Sequence, residues 1–99
     1  MSHPARVYWL SPAAGGRARP VDATTYSTVA VLPETGWPHE AWSVVLDFPL
    51  PPAEQGNPST GTIRFLVDAG PADALHPGRI LELVEGPRVV AVVEILARP

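Results

Sequence analysis

Hydrophobic and polar positions alternate most regularly over residues 61–68, where Ile63, Phe65 and Val67 share one parity and Thr62, Arg64 and Asp68 the other. A period of two sets successive side chains on opposite faces, so this segment predicts a strand with one wet side. Residues 41–48 repeat the pattern, with Val44, Leu46 and Phe48 set against Ser43 and Asp47. Both apolar sets should point inward. Four further windows, 5–10, 26–32, 80–85 and 88–97, are rich in valine, isoleucine, threonine and aromatics and read as strands. The last is apolar on both parities: Val89, Ala91, Val93 and Ile95 face one way, Val90, Val92 and Leu96 the other. Such a strand is either covered on both faces or offers an outward apolar patch, here Val90 and Val92, to a partner.

Turn chemistry separates these windows: Ser11-Pro12-Ala13-Ala14-Gly15-Gly16 after the first, His76-Pro77-Gly78 before the fifth, and Glu85-Gly86-Pro87 between the fifth and sixth. Glycine supplies positive φ and proline presets φ for turns. Thirteen prolines leave little room for helix, since an interior proline removes a hydrogen bond and clashes with the preceding turn. Six short strands so punctuated predict an all-β, antiparallel barrel or sandwich. Residues 1–99 read as one domain without internal repeats, and residues 49–60, rich in proline and polar residues, are expected to form a mobile loop.

Composition narrows the function classes. At 45% hydrophobic and 17% charged, the chain can build a core, and with no cysteine it has neither a disulfide nor a thiolate to hold it. A net charge of -3 argues against a general phosphate-backbone binder, although a local basic patch is compatible with it. All seven basic residues are arginine, which reads as the coding bias of a GC-rich, bacterial genome. The first ten residues lack the long apolar stretch and cleavage site of a secretory signal, and the aliphatic run 89–93 is far shorter than the roughly 20 residues of a membrane span. A cytoplasmic location and no membrane association are expected.

Candidate chemistry is sparse. His3, His39 and His76 show no spacing that would set two ligands on one face, so no metal or cofactor is expected. No Gly-x-Ser-x-Gly elbow surrounds Ser11, Ser27, Ser43 or Ser59, and no carboxylate pair stands out as acid and base; no catalytic residue is assigned. Trp37, His39, Glu40 and Trp42 crowd one stretch, either as an interface hot spot or as aromatic caps on the end of the barrel.

Three features in order carry a family resemblance. The first strand runs into Gly15-Gly16-Arg17, with Pro20 and Tyr26 following; Gly61 opens a strand; and Leu75-His76-Pro77-Gly78-Arg79-Ile80 leads to Glu85-Gly86-Pro87-Arg88-Val89-Val90. Over residues 5–96 the chain resembles the C-terminal barrel domain of elongation factor Tu. The resemblance implies a closed six-stranded antiparallel Greek-key barrel. It also implies contacts to the T-stem of aminoacyl-tRNA and to a GTPase domain. That GTPase domain is not in this chain, which has no lysine and hence no phosphate-binding Gly-x-x-x-x-Gly-Lys-Ser/Thr loop. Residues flanking Tyr26 depart from the family, as do Pro87, Ala91 and Val93, where the family carries glycine. The matched Arg17 and Arg88 fit either hydrogen bonds to carbonyls and carboxylates across the barrel rim or, with Arg19, a small cationic patch for RNA or an acidic surface. The expectation is a non-enzymatic module that binds a protein partner or itself, with an RNA- or tRNA-binding accessory module as the alternative.

Overall fold

The computed structural model describes residues 1–98. Six strands form, each within a few residues of its sequence window: β1 (His3–Trp9), β2 (Thr25–Ala30), β3 (Trp42–Asp47), β4 (Ser59–Phe65), β5 (Ile80–Glu85) and β6 (Arg88–Ile95). One single-turn helix, α1 (Pro52–Gln55), and three short 3-10 turns complete the regular structure.

The strands close into an antiparallel barrel in the order β1-β4-β3-β2-β5-β6. β2, β3 and β4 form a meander and β5 returns to lie beside β2, the arrangement of a Greek key. β1 closes the ring by pairing β4 through His3↔Ile63 and β6 through Val7↔Val93. Closure leaves no strand edge to template aggregation.

The alternation read from the sequence sets the interior. Val44 and Leu46 of β3 and Ile63 of β4 are fully buried, facing Ala5 and Val7 of β1 and Val93 and Ile95 of β6. β4 ends at Phe65, so Val67 lies beyond the strand and is half exposed rather than inward. Val45, on the outer parity of β3, is also buried.

β6 departs from simple alternation. Its register against β5 shifts between Leu83↔Ala91 and Val84↔Val89, so Val90 is the extra residue of a β-bulge. The bulge turns both Val90 and Ala91 into the core at 0% exposure. Val90 is therefore not the outward patch residue expected from its parity, because one inserted residue flips every side chain before it to the opposite face. Val92 stays on the outer wall, half-buried, in register with Tyr8 and Glu82.

Residues 49–60, the segment expected to form a mobile loop, make several ties to the barrel. Pro52 is buried and the Ala53 amide donates to Val21 O (2.9 Å). The Gln55 amide donates to Leu50 O (2.8 Å) and Thr60 O (2.9 Å), and its oxygen accepts from Thr60 N (2.9 Å). Asn57 pairs with the backbone of Trp9 in both directions, at 2.9 and 2.8 Å. Among the described residues no helix is long and apolar enough to cross a membrane.

Candidate functional site

Strand register sorts the candidate residues between two ends of the barrel. One end collects the finish of β1, the start of β2, the 49–58 loop and the β5–β6 hairpin. It carries Arg17, Arg19 and Arg88. The other end carries the 31–41 loop with Trp37 and His39, and the start of β3 with Trp42.

The turn after β1 delivers Arg17 to its place. Ser11 caps the 3-10 turn Pro12–Ala14, its Oγ accepting from Ala14 N at 3.2 Å, and Gly15 follows at φ 92°, in the left-handed region. Gly16 then passes so close to Leu10 that a Cβ there would lie 2.0 Å from the Leu10 carbonyl oxygen. Only glycine lets the chain fold back this tightly.

Arg17 meets Glu85 at the end of β5, Nη1 to Oε2 at 2.5 Å, and its Nε donates to Arg19 O at 3.2 Å. Its guanidinium carbon also sits 5.4 Å from the centroid of the Tyr26 ring. The Tyr26 hydroxyl donates to the same Glu85 oxygen. Burial, reinforced by the bond to Glu85, pushes the Tyr26 hydroxyl up to about 12. Burial disfavours a charged Glu85, but the hydrogen bonds from Tyr26 and Arg17 outweigh it and hold the carboxyl below its usual range. Arg17 is thus a rim residue satisfied by a carboxylate and a carbonyl. Arg19 and Arg88 are exposed and make no ion pair among the described residues. The three arginines and Glu85 line one shallow depression.

Beside that depression, and sharing Arg17 and Arg19 with it, lies a cleft of about 290 Å³. Trp9, Leu10, Pro12, Pro20 and Pro52 supply its apolar lining. Trp9 is fixed from behind: Nε1 donates to Ser59 Oγ at 3.1 Å, its ring meets Tyr26 edge-on at 5.6 Å, and Phe48 lies 6.4 Å away. Ser59, fully buried, passes the chain on by donating to Gly56 O at 2.7 Å. Both of its hydroxyl roles are structural.

At the opposite end Trp42 packs edge-to-face on Phe65 at 6.2 Å and against the core, with its buried Nε1 left without a partner. It closes the barrel. Trp37 is half-buried and His39 exposed on the loop beyond. A bidentate Arg79–Glu34 pair fastens this loop to the segment before β5, and the Arg79 hydrogen bonds hold the Glu34 carboxyl at about 2. A larger cavity here, about 470 Å³, is lined by His3, Phe65, Asp68, Leu75 and His76 among others. No group of three or more metal-ligating side chains converges among the described residues.

One of the two sequence readings set Arg17, Arg19 and Arg88 in one patch, as the depression with Glu85 does; neither reading included Trp9, Glu85 or the Trp9 cleft. The only available signal was an aromatic at a strand end immediately before a proline-glycine turn. The chain matches no family model and no curated protein.

Proposed function

We propose that this protein is a non-enzymatic, cytoplasmic binding module that grips a protein partner at the Trp9 end of its barrel. The observation that carries this reading is the apolar cleft beside Trp9, rimmed by arginines on an otherwise acidic molecule. An immobilised aromatic in a proline-walled recess, with charge at its edge, is the composition of an interface anchor point. At about 290 Å³ the cleft is at the low end of the ~300–1,000 Å³ of small-molecule sites, a fit for a partner's side chain rather than a cofactor.

The finer assignment of the barrel, as a relative of the C-terminal domain of elongation factor Tu, belongs to the same proposal. Its support is the ordered Gly15-Gly16-Arg17, Gly61 and Glu85-Gly86-Pro87-Arg88 segments on a six-stranded Greek-key barrel. Gly61 is also a point of close approach, where a Cβ would lie 2.2 Å from Asp47 O. Ala91 and Val93, which replace family glycines, point into the core and are fully buried.

An RNA-binding role draws support from exposed Arg19 and Arg88, but Arg17 is already neutralised by Glu85 and the net charge is -3. Differential capture separates the readings. Wild type and Ala53→Trp, whose new side chain fills the cleft from α1, are used as baits in extracts of the source cell with and without ribonuclease. Proteins retained by wild type after ribonuclease and lost with Ala53→Trp are expected. Retention that disappears with ribonuclease or high salt would favour RNA, and equal retention by both baits would remove the cleft from the account.

A further inference from the structure

From the chemistry of the two adjoining depressions we infer that the partner is an acidic peptide segment: one large apolar side chain enters the Trp9 cleft and a neighbouring carboxylate engages Arg19 or Arg88. This inference rests on the protein-binding reading above and names the chemical class of its partner.

The apolar part follows from the lining. Trp9 has its indole N–H committed to Ser59, and Asn57, at the cleft edge, has its side chain committed to the Trp9 backbone. With these groups engaged, Leu10, Pro12, Pro20 and Pro52 and the Trp9 ring give the cleft a mainly apolar lining, which favours an apolar entering group. The acidic part follows from the charge count at the rim. Three arginines face one carboxylate, and because Glu85 is bonded to Arg17, the charge left over belongs to Arg19 and Arg88. Arg19 lines the cleft and Arg88 the adjoining depression, on a chain of net charge -3, so the local field attracts an anion while the molecule as a whole repels a polyanion. A peptide with one or two carboxylates gains the first effect and largely avoids the second; a nucleic acid does not.

The inference is tested by fluorescence anisotropy with three labelled peptides that share a central leucine and differ in flanking residues: glutamate, glutamine or lysine. Against wild type the glutamate peptide is expected to bind about fivefold tighter than the glutamine peptide, the strong end of what an exposed ion pair supplies. The lysine peptide should be weakest, and added salt should narrow the differences. Arg19→Gln with Arg88→Gln should erase the preference with only a small change in melting temperature, because Arg88 acts on Glu85 through space without an ion-pair contact and Arg19 makes no ion pair among the described residues. Ala53→Trp should weaken all three peptides.

Equal binding of the glutamate and glutamine peptides, both lost with Ala53→Trp, would overturn the acidic assignment and leave the protein-binding cleft standing. No binding by any peptide, with a bulk tRNA probe bound by wild type and not by the arginine variant, would overturn both. Concentration-dependent dimerisation that Ala53→Trp abolishes would identify a second copy of the chain as the occupant and overturn the peptide.

Discussion

Glu85 accepts from Tyr26 and Arg17 on one oxygen, and this shared acceptor ties the turn after β1 to the β5–β6 hairpin. The arrangement has a pH signature. The Tyr26 hydroxyl, held near 12, keeps its proton in the folded chain after an unfolded tyrosine near 10 has lost it. Its contribution to stability is complete below about pH 10 and lost between about 10 and about 12. At the acid side Glu34, held at about 2 by Arg79, contributes fully above the ordinary 4.5 and loses that contribution as pH falls towards 2; Glu85 works in the same direction. The chain has no lysine or cysteine to titrate in the alkaline range. His3, whose pKa burial and Arg98 hold below the ordinary 6.5, adds a loss of stability as pH falls below that value. Thermal melts should therefore show a plateau between about pH 7 and 9 and a fall on each side. Tyr26→Phe should lower the plateau and remove most of the alkaline fall; an unchanged alkaline limb would contradict the Tyr26–Glu85 bond.

At the scale of the element, alternation located the strands well and their faces incompletely. β3 and β4 show why it worked: one face is core and the other solvent, so Val44, Leu46 and Ile63 announce themselves by contrast with Ser43 and Thr62. β6 shows where it fails, because a strand with apolar residues on both parities gives no contrast from which to locate a bulge. The consequence is a difference between neighbours. Val90→Thr places a hydroxyl in the sealed interior and should cost about 1–3 kcal/mol, whereas Val92→Thr on the outer wall should stay within about 0.5 kcal/mol. Urea denaturation of the two variants measures both, and equal costs would mean the bulge lies elsewhere. The 49–60 segment was illegible for a different reason. Its proline-rich, polar composition is that of a loose loop, and the backbone partner that Asn57 secures, Trp9, is 48 residues away in sequence.

The whole molecule has two dissimilar ends. One is closed by Trp42 and Phe65 and laced by Arg79–Glu34; the other is held by Trp9, Tyr26 and Glu85 and carries an apolar cleft rimmed by Arg17 and Arg19, with Arg88 in the adjoining depression. Of this, the closed six-stranded antiparallel barrel was expected, and a shared patch of Arg17, Arg19 and Arg88 was one of two readings of those arginines. The cleft was not expected, because its walls come from two connections, β1–β2 and β3–β4, whose approach depends on barrel closure rather than on any local signal. The Trp37–His39–Trp42 stretch, read from sequence as hot spot or cap, contributes Trp42 to the core and leaves Trp37 and His39 on the loop outside it. The central claim is that binding happens at the Trp9 end. Chemical-shift mapping on ¹⁵N-labelled protein, titrated with the glutamate-flanked leucine peptide, tests it most directly. The expected result is perturbation confined to the Trp9 indole and the amides of Leu10, Arg19, Gly56 and Arg88. Perturbation centred on Trp37, His39 and Trp42 would contradict it.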